Sequence, residues 1–185
     1  MIARRMALPA DTHAALSAAV RGRLDAAFPA LAERVVGFCW PVQNEPDLRP
    51  FVAELIARGG RVVLPVVVRA GAPLAFREWW PDQPLVPDRY DIPTPTDGDF
   101  LVPQTLLLPV NAVDAAGYRL GYGGGFFDRT LAALAPRPMT IGVGFDFQRV
   151  PSIFPQAHDQ PLDAMVTESG CDRAARPGNR ANYAK

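Results

Sequence analysis

The chain of 185 residues is 49% hydrophobic and 21% charged, proportions of an ordinary globular protein with one core, which excludes a disordered or fibrous chain. Nineteen acidic residues cancel nineteen basic ones, so no overall field draws the protein to nucleic acid or to an anionic membrane. Lys185 is the only lysine and the other eighteen basic residues are arginines, so phosphate contacts within a site fall to arginine.

Residues 1–9 carry Arg4 and Arg5 but no apolar run of the kind an export signal needs, and no stretch reaches the roughly 18 apolar residues of a membrane span. From Asp11, read as an N-cap, Leu16, Val20, Leu24, Ala27, Phe28 and Leu31 recur every three or four residues, the stripe of a long helix that Pro29 ends or kinks. Residues 35–40 read as a buried strand, 41–46 as a turn, and an Asp47-capped helix runs to Ala57 before Gly59 and Gly60. The run RVVLPVVV at 61–68 is apolar on both faces, as a parallel strand covered by helices would be. Seven prolines and the pair Trp79 and Trp80 make 70–103 a long, stiff excursion with two short strands expected in it.

A strand at 106–109, a glycine-rich loop at 111–125, a helix at 126–135, a strand at 140–145 and a last apolar segment at 165–167 complete the alternation. Strands alternating with helices predict an α/β fold, a three-layer sandwich with a mostly parallel central sheet, as a single domain over 1–169. Residues 170–185 are polar and expected to be a disordered tail. Cys39 and Cys171 have no metal or redox spacing, which fits a reducing cytoplasm.

The densest special feature is the string from Arg119 to Arg129, RLGYGGGFFDR, which lies between a strand and a helix. Glycines let backbone amides approach oxygens and the helix dipole favours negative charge, so Gly121, Gly123, Gly124 and Gly125 read as an anion cradle. It is no Walker A loop, since no Lys follows, and Phe126 stands where a dinucleotide fingerprint has its third glycine. Asp128 in the first helical turn is either a capping carboxylate or a ligand of a divalent cation, and Asp159 in QAHDQPLD offers a second carboxylate for Mg²⁺. Glu45 follows the strand at 35–40, where α/β sheets bind ligands, and is either a solvated loop residue or a partner for an amide-rich ring. Trp40, Trp79, Trp80, Phe126 and Phe127 are candidate stacking walls or core residues. Arg119 and Arg129 are the candidates for phosphate, Arg119 the better placed, while His13 falls on the polar helix face and receives no role. His158 beside Asp159 lacks a triad partner, and nothing supports a serine or cysteine nucleophile.

The string DAAGYRLGYGGGFFDRTLAAL resembles the G-x-R-L-G-x-G-x-G-[YF]-[YF]-D-R signature of the 5-formyltetrahydrofolate cyclo-ligase family, also called methenyltetrahydrofolate synthetases. The Glu45 segment, VVLPVV, IPTPTDG, LLLPVNAVD, IGVGFDFQ and HDQPLDAMVTE resemble further family landmarks in order, so that the likeness spans residues 35–168. It implies a fold related to the sugar-isomerase and CoA-transferase-like sheet. It also implies an ATP- and Mg²⁺-dependent enzyme that phosphorylates the formyl oxygen of 5-formyltetrahydrofolate, closes the ring through N10 and releases ADP and phosphate; a cytoplasmic monomer is expected. Carried over residue by residue, ATP falls to Gly121, Tyr122, Gly123, Gly124, Gly125, Phe126, Phe127, Asp128 and Arg129, with Arg119 and Tyr122 in catalytic roles. Mg²⁺ falls to Asp128 and Asp159, and the pterin to Glu45 with Trp40.

The departure lies at the N-terminus, where family members carry a K-x-x-L-R helix start whose cations reach the nucleotide and this chain reads MIARRMALPAD. Arg4 and Arg5 are the only cations near that place, and three explanations stay open: an upstream start, substitution by these arginines, or weakened ATP chemistry. The alternative to the enzyme is therefore a non-catalytic folate- or nucleotide-binding paralogue. A sugar-phosphate isomerase on the same sheet is a weaker reading, because no well-placed general base is found.

Overall fold

A computed structural model describes residues 1–173. In chain order the elements are α1 (Ile2–Met6), α2 (Ala10–Ala27), a 3-10 turn (Pro29–Glu33), β1 (Val35–Phe38), α3 (Arg49–Ala57), β2 (Arg61–Val66), β3 (Ala75–Trp79), β4 (Leu85–Pro87), β5 (Pro93–Pro95) and β6 (Thr105–Pro109). There follow β7 (Ala112–Val113), β8 (Arg119–Leu120), α4 (Phe126–Ala133), β9 (Met139–Val143), a second 3-10 turn (Asp146–Gln148), β10 (Ala164–Val166) and β11 (Cys171–Arg173). Seven strands form one sheet in the order β11-β10-β9-β6-β1-β2-β3. The inner five are parallel, and β3 and β11 close the edges antiparallel.

Alternate residues of the inner strands feed two cores, which is why these strands read as continuous apolar runs. Val62, Leu64, Leu107 and Ile141 pack with Val20 and Leu24 of α2 and Val52 and Leu55 of α3. Val63, Leu106 and Leu108 pack on the other face with Leu131 of α4 and with Leu74 and Phe76 from the edge of the excursion. The three layers are thus α2 and α3, the sheet, and α4 with part of the excursion.

The differences from the sequence reading have local causes. The first expected helix starts earlier, because Pro9 rather than Asp11 stands at the N-cap of α2, and a further short helix, α1, precedes it where none was expected. The excursion holds three strands rather than two: β3 joins the main sheet, while β4 and β5 pair with each other. The strand at 61–68 ends at Val66 and pairs parallel with β1 on one side but antiparallel with β3 on the other. Cys171, assigned to a loose tail, lies in β11 opposite Val166, so the tail begins later than residue 170. The rest of the expected tail, 174–185, lies outside the described residues. Among the described residues no helix is long and apolar enough to cross a membrane.

The strand order opens a crevice at the carboxyl ends of the strands. The chain leaves β1 towards β2 on one side, while β6 lies on the other, so the order reverses between β1 and β6. Connections leaving the carboxyl ends of two such strands diverge and leave a crevice between them. The segment after β1 carries Trp40 and Glu45, and that after β6 carries Asn111 and the glycine loop.

Candidate functional site

Glu45 is the floor of this crevice. Its carboxylate is only 3% exposed; Oε2 accepts from the Val42 amide at 3.0 Å and Oε1 from the Tyr122 hydroxyl at 2.7 Å. The turn that delivers it holds Gln43 and Asn44 in left-handed backbone (φ 49° and 55°), and such strain in residues other than glycine persists only where surroundings enforce it. Burial pushes the Glu45 carboxyl above its ordinary range, against the opposing hydrogen bonds from Tyr122 and Val42 and the charge of Arg5. The Tyr122 hydroxyl is likewise pushed up, first by burial and then by the neighbouring Glu45 charge.

Arg5 enforces this geometry. Its guanidinium is wholly buried and donates from Nε to the Gln43 carbonyl at 2.7 Å and from Nη2 to the Tyr122 hydroxyl at 2.8 Å. Nη1 donates to Asn111 Oδ1 at 3.1 Å and to the Val110 carbonyl at 3.3 Å, and Nη2 lies 3.9 Å from Glu45 Oε1. One side chain from α1 therefore ties the turn after β1 to the segment after β6 and to the glycine loop. Arg4, by contrast, lies with its guanidinium 4.6 Å from the centre of the Phe147 ring.

His13, which the sequence reading left without a role, places Nε2 2.9 Å from the Glu45 carbonyl and its ring edge-on to Phe145 at 5.9 Å. It braces the turn from below. Trp40 is half-buried, edge-on to Trp79 at 5.9 Å and covered by the Arg49 guanidinium at 5.4 Å, beside the acidic turn.

The glycine loop comes off the β7 and β8 hairpin and runs into α4. Gly123 and Gly125 have φ of 85° and 61°, left-handed values that L side chains adopt only with strain. A Cβ on Gly125 would also come within 2.8 Å of Arg129 Nη1. The Gly121 carbonyl accepts from Asn111 Nδ2 at 3.0 Å and that of Gly124 from Arg129 Nη2 at 2.8 Å. With the Gly124 carbonyl turned to Arg129, the Gly125 amide of the same planar unit points the opposite way. Among the described residues, the amides of Gly123, Gly124 and Gly125 donate to no other group, and they sit beside the unpaired amides that open α4. Unpaired amides gathered at a helix start are the kind of donors an oxyanion takes.

Asp128 stands in the first turn of α4, and its Oδ1 accepts from Arg119 Nη2 at 3.1 Å and from the Gln160 amide at 3.0 Å. Arg119 is nearly buried and also donates to the Gln160 carbonyl at 2.7 Å, so this arginine spends its fork on Asp128 and on the loop that carries Asp159. Asp159 Oδ2 accepts from the Gln156 amide at 2.7 Å, and His158 Nε2 lies 3.6 Å from its Oδ1. Arg129 turns back on the loop, its guanidinium 5.2 Å from the Phe126 ring centre. Phe126 and Phe127 pack against the α4-side core, and Tyr90 from the excursion meets Phe126 edge-on at 5.8 Å.

Among the described residues no group of three or more His, Cys, Asp or Glu gathers to hold a metal. The donors present suit a cation that brings other ligands with it. Asp128 Oδ2 has no hydrogen-bond partner among the described residues, and the Asp128 and Asp159 segments are joined through Gln160. Mg²⁺ commonly takes one or two carboxylates and completes its shell with water and substrate phosphate.

The profile of the 5-formyltetrahydrofolate cyclo-ligase family matches residues 1–168. The chain is 32% identical over 173 residues to the 5-formyltetrahydrofolate cyclo-ligase of Escherichia coli (strain K12), covering 90% of this chain and 95% of that protein. It is 31% identical over 179 residues to the enzyme of the same name from Mycolicibacterium smegmatis, covering 90% and 89%. The NMR structure of Aquifex aeolicus 5,10-methenyltetrahydrofolate synthetase superposes with a TM-score of 0.82 at 26% identity, over 98% of this chain and 92% of that one.

Proposed function

The chain belongs to the 5-formyltetrahydrofolate cyclo-ligase family, and on that premise we propose that the crevice between β1 and β6 carries out the ATP-dependent conversion of 5-formyltetrahydrofolate to 5,10-methenyltetrahydrofolate. The observation that carries this reading is the Tyr122 hydroxyl, which donates to Glu45 while accepting from Arg5. A residue of the anion cradle thereby touches the acidic residue suited to a pterin, and two sites separate in sequence become one.

The chemistry asks for position and charge more than for a covalent enzyme intermediate. An amide oxygen leaves poorly, so the formyl oxygen attacks the γ-phosphorus of ATP and ADP departs. N10 then adds to the activated carbon, the C–O bond breaks with loss of phosphate, and N10 gives up its proton. Glu45 holds the amide-rich edge of the pterin, since each carboxylate oxygen keeps a lone pair beyond the one already engaged. Because Glu45 is 3% exposed and Tyr122 lies over it, an arriving ring displaces the tyrosine hydroxyl, and Trp40 walls the same side. The free amides of Gly123, Gly124 and Gly125 and the start of α4 hold phosphate oxygens. Arg119 orients Asp128 and adds positive charge beside them, while Arg129 keeps the loop in shape. Asp128 and Asp159 would hold Mg²⁺, which when bound neutralises phosphate charge.

The test is the appearance of methenyltetrahydrofolate absorbance from 5-formyltetrahydrofolate with and without ATP, for the wild type and Glu45→Gln. Product that needs ATP and is lost in the variant, with folding retained, is the expected outcome. Folate binding without ATP-dependent product would instead favour the non-catalytic reading, in which the internal engagement of Arg5 leaves the nucleotide short of a cation.

A further inference from the structure

At the amino ends of β1, β6 and β9, opposite the loops that build the crevice, lies a cavity of about 290 Å³. Phe28, Leu31 and Met139 give it apolar walls, Arg34 and Arg173 bring two cations, and no carboxylate lines it among the described residues. Arg173 lies with its guanidinium 5.0 Å from the Phe28 ring centre and spends one Nη2 contact on the Ala27 carbonyl at 3.3 Å. Arg34 is half-buried, and its guanidinium makes no hydrogen bond or ion pair with a described residue. Thr105 also lines the cavity: its side chain is wholly buried, and its Oγ1 has no hydrogen-bond partner among the described residues.

A buried hydroxyl without a partner is costly, and a valine of the same shape would fill the position without that cost. Two guanidinium groups lining one apolar cavity without a counter-charge among the described residues leave a second unmet demand, for an oxyanion that can take a fork of N–H donors. We propose that this cavity is a second binding site, for a small carboxylate or phosphate monoester carried on an apolar body. The oxyanion sits between Arg34 and Arg173, the body lies on Phe28, Leu31 and Met139, and Thr105 Oγ1 makes a deep hydrogen bond. The site stands apart from the folate reaction and does not depend on that reading.

The four methionines make a direct test possible, because Met139 lines the cavity while Met165 lies in the core on the opposite face of the sheet. The full chain carrying ¹³C-methyl methionine is titrated with benzoate, with phenyl phosphate and with uncharged benzyl alcohol. A saturable shift of the Met139 methyl, with Met165 unmoved, is expected for at least one anion, and binding of benzyl alcohol should be about tenfold weaker or less. Benzoate acting alone identifies the ligand group as carboxylate, and phenyl phosphate alone identifies it as phosphate. Arg34→Ala and Thr105→Val should each weaken the anion about tenfold, and the near-isosteric Thr105→Val keeps the test readable if the arginine variant folds poorly. The proposal is overturned if neither anion shifts Met139 up to about 10 mM, if benzyl alcohol binds as well, or if both variants bind like wild type.

Discussion

Replacing Arg5 by methionine keeps the apolar stem and removes the guanidinium that joins three segments. Of its acceptors, the Val110 carbonyl keeps Gln148 Nε2 and Tyr122 keeps Glu45, whereas the Gln43 carbonyl and Asn111 Oδ1 lose their partner. Two orphaned acceptors at about 1–3 kcal/mol each, with Glu45 left as an unpaired buried charge, place the cost at about 3–5 kcal/mol, the range for breaking a buried pair from one side. At about 2–4 °C per kcal/mol for a chain of this size, the melting temperature falls by roughly 6–20 °C.

The sign of the pH dependence follows from Glu45, whose folded carboxyl already lies above its ordinary 4.5 because of burial. Losing Arg5 raises it further, so the folded variant binds a proton over a wider window than the unfolded chain does. Stability is then lost as pH rises from 4.5 through the folded value, and the cost of Arg5→Met is smaller at about pH 5 than at about pH 8. Urea unfolding of wild type, Arg5→Met, Glu45→Gln and the double variant at both pH values measures this. In the Glu45→Gln background the cost should fall by about 1–3 kcal/mol and lose most of its pH dependence. A cost under about 1 kcal/mol, or one equal at both pH values with Glu45 present, would refute the reasoning.

Asp128→Asn preserves shape but halves the charge available to a cation; turnover should fall roughly 10–100-fold and the Mg²⁺ concentration for half-maximal rate should rise, as initial rates against Mg²⁺ will reveal. Gly125→Ala forces a Cβ into left-handed backbone against Arg129, so a loss of about 1–2 kcal/mol in denaturant unfolding and a raised KM for ATP are expected, with the KM for folate little changed. Burial, and then the Glu45 charge, push the Cys39 thiol up, so its alkylation by iodoacetamide at about pH 8 should run at least tenfold slower than for free cysteine; burial also raises the Cys171 thiol, and Cys171 should react faster than Cys39.

Local patterns in the sequence determined a good deal about this protein. The three- and four-residue stripe of α2 and the two-faced apolar run of β2 reflect which faces are buried, and burial acts on each residue where it stands. The glycines at 123 and 125 and the helix start after them were legible for the same reason, since left-handed backbone and unpaired amides are properties of a few consecutive residues. Glu45 could be placed at the carboxyl edge of the sheet because it follows a strand end in an alternating fold.

Tertiary structure alone decided how these pieces meet. Arg5 reads as one of two adjacent arginines, yet it is separated by 38 residues from Gln43 and by 117 from Tyr122, which it bonds. His13 looks solvated on its helix and braces the acidic turn only because α2 packs under it. Arg119 reads as a free cation for phosphate, but the fold brings Asp128 and Gln160 to its fork. The antiparallel edges β3 and β11 depend on which strand lies beside them, and Cys171–Arg173 carries no apolar run to announce a strand. Periodicity records whether a side chain is buried; it carries no record of the distant partner that a charged or polar group meets there, and that pairing sets both the shape and the charge of this site.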